Sequence, residues 1–317
     1  MSMERFERPE GFFAPDSVTW EVLTAPATAL MIAQITNLLE VPHLDFQAVL
    51  LDHDPLFPTN AKRQRGRRRA RRKDGHFHDR LRRTLSVPLP IVFGDSDSAV
   101  ACAKRLVDYH RPMSGVGPAG PYCATAPEAM LFAAVTIAHA ALLAYERFAF
   151  RGGRPPRRLD PPRRDRYFAE MAQLAVLMGV PAEQVPITSA QVAAYYAAIS
   201  DKFTTHPGFR VAQMKTAAAL MIPDGRSDLM RTLADLVLMG SALVAYAALP
   251  RPSRRLHRLP AVGDPVLGAL RLASLPLFAL LNMPAIGQTV LRWYLGEADT
   301  AMLAAARRQI HCGDPRA

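Results

Sequence analysis

Residues 125–148 read TAPEAMLFAAVTIAHAALLAYERF, and this stretch decides the fold. Thr125-Ala126-Pro127-Glu128 has the form of a capping box with an early proline, two signals for a helix start. The 17 residues from Ala129 to Tyr145 carry no charge. A helix that is apolar nearly all round is a buried helix. A membrane span needs about 20 mainly apolar residues. A shorter run carrying Thr136 and His139 therefore reads as the core helix of an all-α domain.

The rest of the chain fits around that helix. Half of the 317 residues are apolar and aromatics are few, which favours helices over strands. Asp16-Ser17 can cap one helix running to about Leu39. Asp95-Ser96-Asp97-Ser98 starts another that Pro112 halts after Arg111. Thr188-Ser189-Ala190-Gln191 is a second capping box, opening a helix to about Lys202. Further helices fit His78–Leu85, Asp165–Met178 and several segments after Gly208. Only Ser86–Phe93 alternates like a strand, and Met113–Tyr122 reads as a Gly/Pro loop. The expectation is a single all-α, bundle-like domain over residues 1–317, of about nine helices, with a disordered basic insertion at 57–78.

Charge is concentrated in that insertion. Lys62 to Lys73 holds nine basic residues and no acidic one, so nine of the net +11 charges sit there and about +2 remains for the body. A like-charge run repels itself and does not pack. It can grip phosphates or an anionic membrane, but no aromatic is interleaved with it, which argues against nucleic acid. Met1–Asp16 is charged and contains Pro9 and Pro15, unlike a secretory signal, so a cytoplasmic protein is expected, with peripheral membrane contact open. Cys102, Cys123 and Cys312 are too few and too scattered for a disulfide framework or zinc ribbon.

Several polar residues stand out. Ala103, Leu106, Val107 and His110 share one helix face, so His110 points inward. Read alone, it is either a core histidine bonded to a carbonyl or an axial ligand to haem iron. Arg80 and Thr84, four apart, share a face with Arg83 nearby; they form a solvated basic face or line a pocket as donors. Thr136 bonds back to its own helix or serves a site. Glu40-Val41-Pro42-His43 has the letters of a di-iron motif, but Pro42 spoils the helix that motif requires. Walker, Gly-x-Ser-x-Gly and His-Glu-x-x-His motifs do not occur.

Taken in order, these motifs give the chain a resemblance to the MpaB and latex-clearing-protein (rubber oxygenase) superfamily. Arg80-Leu81-Arg82-Arg83-Thr84 is similar to the family's Arg-Leu-x-Arg-Thr motif. Gly94-Asp95-Ser96 followed by His110 resembles its histidine helix. Gly120-Pro121-Tyr122-Cys123-Ala124 resembles its Pro-Tyr-x-Ala segment, and Asp165–Glu170 with Gly179-Val180-Pro181 its later signature. The resemblance implies an all-helical fold that binds haem b, with His110 as proximal iron ligand. It places Arg80 and Thr84 in the distal pocket and Thr136 as a pocket threonine. Arg83 falls where rubber oxygenases can carry a lysine on the other side of the iron, and an always-protonated arginine is a poor ligand.

The implied activity is oxidation or cleavage of a hydrophobic, prenyl-like small molecule with O2. Two departures argue against rubber cleavage itself. No glutamate lies between Glu40 and Glu128, where the family keeps its general base, leaving Asp52 or Asp54 as substitutes. Ala134 stands where a histidine is common. A non-catalytic haem or lipid binder of the same fold, or a basic nucleic-acid or membrane-surface binder, is the rival expectation.

Overall fold

The computed structural model describes residues 11–54, 57, 82, 84, 86, 88–221, 229–257 and 263–312. Among them are fourteen α-helices and one two-stranded hairpin, so the all-α expectation holds. The centre is a pair of helices, α2 (Pro26–Glu40) and α6 (Pro127–Phe148), packed along each other. Both are rich in alanine where they are buried: Ala27, Ala29 and Ala33 on α2, Ala134, Ala138 and Ala141 on α6. Small side chains let helix axes approach closely, and larger neighbours such as Ile35 and Leu142 fill the flanks.

One helix expected over 16–39 is in fact two. Helix α1 (Val18–Thr24) meets α2 at an angle of 87°. Pro26 is the cause: proline disfavours helical backbone in the residue before it, and Ala25 is extended with ψ 127°. The Ser17 cap is real, its hydroxyl accepting from the Trp20 amide at 3.1 Å. The bend turns α1 across the bundle, where it packs against α7 (Pro161–Leu177) and α14 (Glu297–Cys312). Glu170 of α7 accepts the Thr19 amide at 2.8 Å and the Val18 amide at 3.3 Å, satisfying N–H groups that a helix start leaves open.

Helix α3 (Leu44–His53) falls where no helix is expected. Helix α4 (Pro88–Phe93) occupies the segment that reads as a strand, and its alternation comes from prolines rather than from a pleat. Arg82, Thr84 and Ser86 are also helical. Helix α5 (Ser96–His110) starts on Asp95, whose carboxylate accepts the Ser98 amide at 2.7 Å. The expected loop after it is a hairpin, β1 (Ser114–Gly117) with β2 (Gly120–Cys123), in register Ser114↔Cys123. Gly120, at φ 114°, closes its turn. A Cβ on Gly117 would sit 2.6 Å from that of Ala48, so the hairpin docks on α3 through a bare backbone.

The capping box at Thr125 is not used: Ala126 is the N-cap of α6 and has no side-chain cap bond, while Thr125 sits 3.3 Å from the Cys123 thiol. The second box is used, with Thr188 accepting the Gln191 amide and Gln191 accepting the Ile187 amide. Its helix α8 (Ser189–Ala198) gives way to a 3₁₀ turn at Ser200–Lys202. Helices α9 (Pro207–Met221), α10 (Leu229–Ala248), α11 (Arg251–Leu256), α12 (Asp264–Leu281) and α13 (Pro284–Leu295) complete the chain order before α14. Of the insertion expected at 57–78 only Phe57 is among the described residues; it is buried, its ring stacked 5.5 Å from that of Phe209.

Candidate functional site

His110 ends α5 half-buried, beside the buried Ala103 of the same face. Its Nδ1 lies 2.8 Å from the Leu106 carbonyl oxygen. A carbonyl only accepts, so Nδ1 carries the proton and the neutral ring keeps its lone pair on Nε2. This bond serves a core histidine equally well. It also fixes the tautomer and ring orientation that an axial ligand needs, so the donor chemistry fits a haem iron. Thr84 is exposed on its helix, and Arg80 and Arg83 lie outside the described residues.

Thr136 lies elsewhere, fully buried at the middle of α6. Its hydroxyl is 2.7 Å from Glu40 Oε1, 2.8 Å from the Phe132 carbonyl and 3.0 Å from that of Ala133. One proton serves these acceptors in turn, so Thr136 both bonds back to its helix and faces a buried carboxylate. His110 and Thr136 share no hydrogen-bond partner among the described residues.

Around Thr136 the structure assembles a polar cluster. Phe132, Thr136 and His139 recur on one face of α6 at spacings of four and three. His43, in the turn after α2, stacks on Phe132 at 4.3 Å and meets Phe203 edge-on at 5.6 Å. His139 Nδ1 is 3.3 Å from the Tyr196 hydroxyl of α8. Burial pushes the pKa of His43 down to about 4; burial, with Arg164 nearby, does the same for His139. Both rings are therefore neutral at ordinary pH. Burial, with Tyr195 and Glu40 beside it, raises the Tyr196 phenol, which stays protonated. His43 Nδ1 is buried with no hydrogen-bond partner among the described residues.

Glu40 is the residue that sequence reasoning passed over. It ends an apolar helix, and an acid in the last turn opposes the helix dipole. That misplacement is a signal that the side chain has a partner elsewhere, and the partner stands 96 positions along the chain. The expected substitutes are employed differently. Asp52 is exposed and accepts the Tyr122 hydroxyl at 2.6 Å, with His53 Nε2 at 3.2 Å from the same oxygen, an arrangement that ties the hairpin to α3. Asp54 is buried at the end of α3.

An apolar cavity opens between α1, α2, α4, α6 and α7, lined by residues including Leu23, Ile32, Val92, Ile137 and Leu174. Its volume of about 30 Å³ has room for two or three waters at roughly 10–15 Å³ each, against roughly 300–1,000 Å³ for a ligand pocket. A porphyrin does not fit there. Three or more metal-ligating side chains are nowhere grouped among the described residues, so a protein-only metal centre is not formed by them.

A helical bundle that encloses polar side chains between facing helices belongs to the class of all-α proteins whose sites are built in the core, not on loops. The family follows from comparison of sequences: the model described as "ER-bound oxygenase mpaB/B'/Rubber oxygenase, catalytic domain" matches residues 20–279. With 260 of 317 residues covered, the chain belongs to this oxygenase family. Its activity is accordingly that of an oxygenase, with O2 and a small molecule as substrates. No curated protein and no solved structure shows significant similarity to it.

Proposed function

We propose that the chain is a haem b-dependent oxygenase of a hydrophobic, prenyl-like alkene, with His110 as the residue that would hold the iron. The observation that carries this reading is the His110 imidazole, whose Nδ1 bond to the Leu106 carbonyl leaves Nε2 as the free donor atom. Haem, when bound, supplies the iron chemistry that activates O2; the chain supplies binding, orientation and exclusion of water.

The remaining roles belong to its own side chains. By the motif it matches, Arg80 supplies a guanidinium donor, with Thr84 beside it. Arg83, always protonated, suits the propionate charge of a haem better than its iron. We assign the proton-holding role to Glu40: it is buried, accepts from Thr136, and lies beside the protonated Tyr196 phenol.

The test is spectroscopic first. The purified chain, reconstituted with haem, is expected to show a Soret band that His110→Ala abolishes and that Glu40→Gln leaves in place. Glu40→Gln is expected to lower O2-dependent carbonyl formation from a prenyl alkene by about 10²–10⁴-fold, the usual contribution of a positioned acid or base. An unchanged Soret band in His110→Ala would overturn the reading.

A further inference from the structure

We infer that the solvent-facing side of α12 is a monotopic docking surface for an anionic lipid bilayer, a property independent of the haem reading. Every exposed residue from Pro265 to Ile286 is apolar. The exposed positions recur at helical spacing along one face, through Val266, Ala269, Leu272, Leu277, Leu280 and Met283, with Leu272 at 56% and Leu277 at 59% exposure. An ordinary surface helix shows the reverse, with polar residues facing water. The polar groups of this segment are turned away from the face: Ser274 bonds back to the Arg271 carbonyl and Asn282 donates to the Phe150 carbonyl.

The opposite side of α12 is anchored. Leu267, Phe278 and Leu281 are buried, with Phe278 4.5 Å from the Phe148 ring of α6. The 18 residues span about 27 Å, a little short of the roughly 30 Å hydrocarbon core, and one side of the helix is already taken by the bundle. The helix can lie in the interface plane with its free face among acyl chains. Trp293, 48% exposed on α13, is the residue type favoured at the headgroup level.

Charge chooses the occupant. Between Arg251 and Leu295 the sequence carries six arginines and one acidic residue, Asp264, which is already paired with Arg251 and Arg254. Arg255 and Arg292 are exposed, and the one acidic partner of Arg292 shown, Glu297 at 3.5 Å, is itself exposed and screened by solvent. A second copy of the same face would set arginine against arginine, whereas lipid phosphates pair with guanidinium groups and add attraction at the surface.

Flotation of the full chain with vesicles tests this. The chain is expected to float with phosphatidylcholine–phosphatidylglycerol vesicles. Leu272→Gln/Leu277→Gln is expected to reduce partitioning by about tenfold or more, with the unfolding curve unchanged because both side chains face solvent. Arg255→Gln/Arg292→Gln is expected to weaken binding to the mixed vesicles while leaving binding to pure phosphatidylcholine vesicles as it was. Failure of the wild-type chain to float with either vesicle, or wild-type flotation by the leucine pair variant, would overturn the inference. So would a concentration-dependent dimer, seen by sedimentation, that the leucine pair abolishes while no vesicle is bound.

Discussion

Helices α6 and α12 are near twins in composition and opposites in placement. Their best 18-residue windows have mean hydropathies of 1.6 and 1.5, yet 72% of one window is buried inside the fold and 17% of the other. What separates them is neighbours. Helix α6 is surrounded by α1, α2, α7 and α10, whereas α12, among the described residues, packs on one side, toward α2, α10 and α13, with Phe278 reaching Phe148 of α6. Apolar length tells which segments avoid water, and the packing tells whether protein or something else takes its place.

The contrast is sharpest at single leucines. Leu142→Ala, fully buried on α6, is expected to cost about 2–5 kcal/mol in urea unfolding, through lost transfer energy and the cavity it leaves. Leu277→Ala on α12 is expected to stay within about 0.5 kcal/mol in the same measurement without lipid. Equal costs would break the comparison.

The enclosed side also carries a pH signature that the open side lacks. His43 and His139 titrate near 4 in the fold, below the ordinary value of 6.5. Between those values the unfolded chain binds more protons, so stability is fully present above about pH 6.5 and is lost as pH falls toward 4. The loss amounts to roughly 3 kcal/mol for each imidazole. Denaturant unfolding at stepped pH is expected to show this slope, and His43→Gln to reduce it.

The smallest effect concerns one hydroxyl. Thr136→Val removes a donor from the buried Glu40 and is expected to cost about 1–3 kcal/mol in urea unfolding, a loss that Thr136→Ser largely restores.

Local chemistry made much of the fold readable. Asp95 and Thr188 cap the helices their sequences announce, and the uncharged run Ala129–Tyr145 lies within the central helix. What escaped reading depends on distance along the chain or on backbone geometry. Helix α3 buries only Gln47, Ala48 and Leu50, too short a stripe to show as a period. The hairpin rests on Gly120 and on a backbone contact at Gly117 that no alternation marks. Pro26 lies in plain view, but only the packing of α1 shows that it turns the chain and does not merely open a helix.

The candidate site divides in the same way. His110 was legible because its helix face is periodic, and its orientation follows from a bond within one turn. Glu40 was not, because its meaning lies in a threonine 96 positions away.

The contact of α1 with α14 bears on how the molecule comes into being. Val18 leaves the ribosome nearly three hundred residues before Glu297. One flank of α1 can have no neighbour until Glu297–Cys312 has been made, and Trp20 and Val22 sit on this early helix. Closure of the bundle is thus a late event in biogenesis, and a nascent chain stalled before α14 would offer chaperones an unfinished seam.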